Sequence, residues 1–313
     1  MEQRKKELEI VQHTQMNFLE IFLLEMVSRQ PHGHEDLEIG LVLEGELRLY
    51  LESDCIQLKP GDIYIINRYQ VHALSAAGRK SLILAFQMDT EFYRRINPSL
   101  ERVRIESNII HSGALHKTLH DDLMTCAMCY FQGADNYELR CASIMLDALY
   151  HLLSSAHCHR TSESEQRTAR SNSARLNRIT DFIAENYTQK ISLQDIADRE
   201  QITVCHASHF IRKMLGISFQ DYLNNKRFEH AFRLIRNSDS SFNILDICLE
   251  TGFSSSRYLN QMFEKKLGCT VKEYLRSEKE PMPVSPSLPA DNYERKYEFE
   301  KAREKLAEVS DLV

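Results

Sequence analysis

Residues 191–223 read ISLQDIADREQITVCHASHFIRKMLGISFQDYL and residues 242–275 read FNILDICLETGFSSSRYLNQMFEKKLGCTVKEYL, two copies of one pattern. Each runs Asp-Ile and a small residue, a polar turn, a second apolar-periodic stretch closing on Leu-Gly, and then Tyr-Leu. In the first copy Leu193, Ile196 and Ala197 share one helical face, and Ala207, Phe210, Ile211 and Leu215 share another. Each copy therefore reads as two short helices packed across a tight turn, with Ala197 and Cys248 small enough to let the axes approach. Gly252 supplies the turn of the second copy. Gln201 stands at the equivalent place in the first, which predicts a wider or strained turn there. Thr203 and Ser254 read as N-caps of the second helices.

Between the copies, DYLNNKRFEHAFRLIRN (221–237) reads as one helix with Tyr222, Phe228, Ala231, Leu234 and Ile235 inward. A rigid helix between two helix-turn-helix units fixes their separation, as a reader of two successive major-groove segments requires. Once the core is assigned, the outward set on the first recognition helix is His206, Ser208, His209 and Arg212, and on the second Ser256, Arg257, Asn260 and Gln261. Arg can fork onto guanine, Asn or Gln onto adenine, and Ser adapts to either, so these are the expected base contacts. Lys213, Lys265 and Lys266 are expected at phosphates, and Arg227 as an internal brace.

Residues 175–276 resemble the AraC/XylS family of bacterial transcription regulators, on the segments GFSSSRYLNQMFEKKLG from Gly252, YLNNKR from Tyr222 and RITDFIAENYTQKISLQDIA from Arg178. The sequence departs from the family pattern at Glu264, usually basic, at Arg257, usually serine, and at Val271, usually proline. The resemblance implies double-stranded DNA and RNA polymerase as partners, and activation rather than repression.

The charge of the whole chain, −6, argues against a general polyanion binder. Residues 171–280 carry 16 Lys and Arg against 14 Asp and Glu, about +2, which leaves about −8 elsewhere. Binding should then be selective and salt-sensitive.

The first third reads as strands: FLEIFLLEMV (18–27), LEIGLVLEGELRLYLE (37–52), DCIQLKPGDIYIIN (54–67) and SLILAFQM (81–88), separated by turn residues. Closely spaced strands without intervening helices suggest an antiparallel barrel. His32, His34 and Glu38 share parity on an extended strand, and His72 follows later. The spacing H-x-H-x3-E-x6-G from His32 to Gly45, then G-x5-N-x4-H from Gly61 to His72, resembles the two motifs of the cupin barrel, in which three His and a Glu hold a divalent metal. Asn67, Tyr69 and Ala76 depart from the second motif, standing for proline, glycine and asparagine.

Two readings stay open. His32, His34, Glu38 and His72 could hold a divalent transition ion. Alternatively, the same residues with Arg48 and Tyr64 line a pocket for a small-molecule effector, with a sugar or sugar derivative leading, and no cofactor is required. No committed acid–base pair lies beyond that set, so the chain is not expected to be an enzyme, the alternative being a metal-dependent cupin enzyme or metal sensor fused to a DNA-binding module.

The expected architecture is multidomain β plus α: a cupin-like sensing β-barrel over 1–112, a helical hairpin over 113–158 that serves a homodimer, a flexible linker over 159–174, an all-α double helix-turn-helix domain over 175–280, and a Pro-rich linker with a short helix over 281–313. In the last segment Asp291 and Glu294 read as a capping box, and Phe299, Ala302, Leu306 and Val309 recur at helical spacing. Cys126-x-x-Cys129 lies on an apolar-periodic helix and reads as core. The charged start MEQRKKELEIVQH and the lack of a long apolar run predict a cytoplasmic protein without a leader or membrane partner.

Overall fold

The computed structural model describes residues 16–51, 54–237, 243–276, 288–290 and 292–310. Strands β1 (Leu19–His32), β2 (Leu37–Glu44), β3 (Leu47–Leu51), β4 (Asp54–Leu58), β5 (Ile63–Ile66), β6 (His72–Ala76) and β7 (Ser81–Met88) form a curled antiparallel sheet, a cupin-like half-barrel. Helix α1 (Thr90–Arg94), a 3-10 turn (Pro98–Arg102) and the short strands β8 (Val103–Ile105) and β9 (Ile109–Ile110) lead out of it.

Period-two patterning sorts the sheet's side chains to two faces. Met26, Val42, Leu47, Leu49, Tyr64, Ile66, Leu74 and Ala85 fill the concave interior. The alternate set, including Ile21, Leu23, Ile39, Leu41, Leu84 and Phe86, packs beneath an antiparallel hairpin of α2 (Ala114–Gln132) and α3 (Tyr137–Ser155). This is the hairpin expected from the sequence, and Cys126 and Cys141 face each other in its core, each Sγ directed at the other's carbonyl.

The expected flexible linker over 159–174 is corrected. After β10 (Cys158–Arg160), helix α4 runs without a break from Glu163 to Asn186. Ser162 and Glu165 form a reciprocal capping box at its start, and Arg167 pairs with Glu163 one turn on. A polar composition was read as unable to bury surface, but Ser173, Ala174 and Asn177 are buried, because this helix lies against the cupin sheet.

The first helix-turn-helix unit is α5 (Leu193–Arg199) and α6 (Val204–Leu215), the second α8 (Ile244–Thr251) and α9 (Ser256–Leu267), joined by α7 (Phe219–Asn237) and followed by α10 (Val271–Arg276). The first unit, α4 and the outer face of the cupin sheet share one apolar cluster: Leu176, Ile179 and Ile183 meet Ala207, Phe210 and Ile211 on one side and Tyr50, Val71 and Ala73 on the other.

The C-terminal segment returns to the cupin half. Leu288 and Ala290 join the first unit's cluster, β11 (Tyr293–Lys296) pairs antiparallel with β1, and α11 (Phe299–Ser310) lays Ala302, Leu306 and Val309 on the hairpin. The expected capping box is corrected, since Glu294 lies in a strand; Asp291 and the Pro-rich run at 281–287 lie outside the described residues. Among the described residues no helix is long and apolar enough to cross a membrane.

Candidate functional site

Glu38 pairs in register with Ile66 and with Gln87, so all three point to the concave face with Tyr64 and Leu74. His72, two residues before Leu74 on β6, points the same way, and His32 sits opposite it at the end of β1. His34 is not on a strand with the others. It lies in the 33–36 connection between β1 and β2, so strand parity was the wrong reason for grouping these residues, although the connection does bring them together.

The three imidazoles converge. Each turns Nδ1 to a main-chain carbonyl at 3.0 Å: His32 to Gln30, His34 to Asp36 and His72 to Gln70. A carbonyl only accepts, so Nδ1 carries the proton and Nε2 faces the shared centre. The rings are buried, and one ligand atom from each lies within 4.8 Å of the others. The Nε2 of His72 is buried without a hydrogen-bond partner. Glu38 Oε2 accepts from His34 Nε2 at 3.0 Å and from Gln87 Nε2 at 2.9 Å, and lies 4.0 Å from His72 Nε2; Tyr64 donates its hydroxyl to Oε1 at 3.1 Å.

The protonation states follow from these surroundings. Burial pushes the His72 imidazole down to about 4, against the pull of Glu38, and burial followed by the Arg29 charge drives His32 well below its usual value. Burial would raise Glu38, but the His34 hydrogen bond, the charge of the His72 and His34 rings and the Gln87 amide outweigh it and hold the carboxyl well below the usual carboxylate range. Two neutral imidazoles and an ionised carboxylate facing one point are the donor set of a divalent transition ion, with each histidine oriented from behind by a carbonyl. The residues fit such an ion, which His32, His34 and His72 would take through Nε2 and Glu38 through Oε2.

Arg48 is not brought to this centre. On β3 it alternates with Leu47 and Leu49, which face the interior, and shares the outer face with Tyr50. The register shift between Val42 and Glu44 and the turn at Gly45 (φ 74°) break the parity that links it on paper to Glu38. Gln87 and Arg29 were missed. Gln87 is the one amide in the apolar run SLILAFQM, a signal that was available; nothing local marks Arg29, whose Nε meets His32 Nε2 at 3.0 Å.

On the helical side, His206, Ser208, His209, Arg212 and Lys213 are exposed on α6, and Arg257, Gln261 and Lys265 on α9, with Ser256 half-buried in its first turn. Thr203 caps α6 by accepting from His206 N, as expected. The cap of α9 is Ser255, one residue later than Ser254, with Oγ accepting from Tyr258 N. Gln201 takes φ 54°, the strained turn that its place predicted.

Two residues leave the DNA-facing set. Asn260 donates to the Ser256 carbonyl and accepts from Val271 N–H, both at 3.0 Å, so its amide closes α9 onto α10. Lys266 folds back over the Phe228 ring, 5.4 Å from its centroid. Arg227 braces the end of α4, donating to the carbonyls of Tyr187 and Gln189 at 2.7 Å each.

The helix-turn-helix domain family matches residues 196–277 and the cupin domain family residues 25–87. An uncharacterised HTH-type transcriptional regulator of Staphylococcus aureus is 24% identical over 241 residues, which cover 76% of this chain and 31% of the relative. The uncharacterised HTH-type transcriptional regulator YijO of Escherichia coli is 28% identical over 134 residues, 43% of this chain and 47% of the relative. The chain thus spans about a third of the length of the staphylococcal relatives it matches. Among solved structures, ToxT of Vibrio cholerae is 12% identical, with 83% of this chain and 98% of that chain covered and a TM-score of 0.37. The chain joins an N-terminal cupin domain to a C-terminal helix-turn-helix domain of the AraC type.

Proposed function

We propose that the chain is a sequence-specific DNA-binding transcription regulator whose cupin half senses a divalent transition-metal ion. The convergence of three buried Nε2 atoms on Glu38, each ring fixed from behind by a carbonyl, carries the sensing half. Base contacts fall to His206, Ser208, His209 and Arg212 on α6 and to Ser256, Arg257 and Gln261 on α9, with Lys213 and Lys265 at phosphates. The outer face of α3, where Leu139 is 73% and Tyr150 66% exposed with Leu146 between them, is the homodimer surface. Recruitment of RNA polymerase, and so activation, follows the family resemblance.

A sugar in the same interior is the second reading, favoured by Tyr64 and Gln87 converging on Glu38. Purified untagged protein should contain one metal per chain by mass spectrometry, absent from a His32→Ala/His34→Ala variant, and should enrich one duplex motif from a random pool. No metal in either protein hands the site to the sugar reading, tested by thermal shift in a carbohydrate panel. No enriched motif overturns the regulator.

A further inference from the structure

Gly33, the residue between His32 and His34, is held by the other half of the chain. Asn177 of α4 accepts the Gly33 N–H through Oδ1 at 3.0 Å and donates Nδ2–H to the Gly33 carbonyl at 2.8 Å. The two groups belong to the peptides on either side of the Gly33 Cα, so one carboxamide fixes the φ and ψ that separate the two histidines. The approach is close: a Cβ on Gly33 would lie 2.1 Å from Ser173 Oγ, also on α4. Gly33, Ser173 and Asn177 therefore make a contact that no other residue type at 33 would permit without displacing the helix.

The helix that makes this contact is also the floor of the first DNA-reading unit. Leu176, immediately before Asn177, and Ile179 lie in the cluster that supports Phe210 and Ile211 of α6, and Tyr50, Val71 and Ala73 of the cupin sheet enter the same cluster. A change in the spacing of His32 and His34 is thus transmitted to the underside of a recognition helix through one rigid element, without passing through a flexible segment.

We propose that Asn177 is a positioning residue of the histidine centre: its clamp on Gly33 couples metal occupancy of the centre to the docking of α4, and so of the DNA-binding half, on the cupin sheet. The proposal rests on the reading of the centre as a metal site. Its consequence is reciprocal, since whatever factor docking adds to metal affinity, metal adds to docking.

The test uses the full chain and Zn²⁺ in competition with a chromophoric chelator. Asn177→Ala is expected to weaken zinc binding by about 10- to 100-fold, the usual effect of losing a group that orients ligands, with one ion per chain retained. Asn177→Asp, which keeps the acceptor for Gly33 N–H and loses the donor, should fall between. Hydrogen exchange is the second readout: zinc should slow exchange across residues 173–183 in the parent and not in Asn177→Ala, a difference that a merely structural role would not produce. Gly33→Ala should undock α4 and weaken zinc binding, and Ser173→Ala in the same chain should restore part of both. This pair covers the case in which Asn177→Ala does not fold. A parent chain that binds no zinc, or binds it unchanged in His32→Ala/His34→Ala, overturns the metal reading and the coupling with it. A parent that binds zinc at the histidines, with affinity and exchange response unaltered by the Asn177 and Gly33 variants, overturns the coupling alone.

Discussion

Arg29 directs its Nε hydrogen at His32 Nε2, 3.0 Å away, and pairs through Nη1 with Glu294 of the C-terminal strand. The lone pair that receives this hydrogen is the one an ion would need. Metal loading and the Arg29 contact therefore compete, and a cation close to the centre opposes a second cation.

Arg29→Met keeps the aliphatic stem and removes both effects. A hydrogen bond from a charged donor contributes about 1.5–3 kcal/mol, so the variant should bind metal roughly tenfold or more tightly. Chelator competition measures this directly. Weaker binding by the variant would mean that Arg29 holds His32 in place and does not compete for it.

Asn260 and Val271 account for each other. The family's usual proline at this position lacks an N–H; Val271 has one, at the first position of α10, and Asn260 Oδ1 accepts it. Asn260→Ala should therefore cost about 1 kcal/mol of stability, as loss of a helix cap does, and leave base preference intact. In a Val271→Pro background, where no N–H remains and proline suits the first helical position, the same change should cost distinctly less. Chemical denaturation of the four proteins closes the cycle. Equal costs in both backgrounds, or altered preference in a duplex selection, would return Asn260 to the DNA-facing set. Arg212→Ala and Arg257→Ala, by contrast, should each relax one base position by about 1–3 kcal/mol.

Gly252 and Gly268 both take left-handed φ, 78° and 71°, but only Gly252 is crowded. A Cβ there would lie 2.6 Å from the Thr188 carbonyl oxygen and 2.7 Å from that of Tyr187, at the end of α4; nothing lies within 4 Å of the same position at Gly268. Gly268→Ala should cost only the backbone strain, about 1–2 kcal/mol. Gly252→Ala adds a collision with main chain that cannot rotate away and should cost clearly more, read as the shift in denaturation midpoint. Similar midpoints for the two would show that the second unit moves off α4 without penalty.

The helix-turn-helix units, the hairpin and most strands were legible in the sequence because each buries one face, and burial writes its period into the chain. What was not legible depended on pairings between distant segments. Ser173 and Asn177 look like linker residues until the cupin sheet lies against them, and Arg48 looks like pocket lining until a bulge turns it outward. The centre was found for a partly wrong reason: His34 reaches Glu38 from a connection and not from a shared strand. Asn260 could have been assigned from its neighbour, since the missing proline at 271 leaves an N–H to satisfy.

The C-terminal segment makes the most exacting prediction, because it touches every part of the molecule. Leu288 and Ala290 lie in the core of the first DNA-reading unit, and Ala290 N–H reaches Glu229 on α7 at 3.2 Å. Lys296 then lies 3.9 Å from the Phe22 ring centroid and pairs with Glu20, while Phe299 packs on Tyr130 and Phe131. Ending the chain at residue 298 removes α11 alone and exposes the hairpin surface under Leu306 and Val309, two side chains whose burial contributes about 1.5–3 kcal/mol each. Ending it at residue 287 also removes β11, leaving an edge of β1 unpaired, and takes Glu294 from Arg29. The shorter chain should melt at lower temperature than the chain ending at 298, bind more of a hydrophobic dye, and bind metal more tightly because Arg29 has lost its anchor. If both truncations melt with the parent, β11 and α11 are passengers, and the tie between the C-terminal segment and the histidine centre is lost with them.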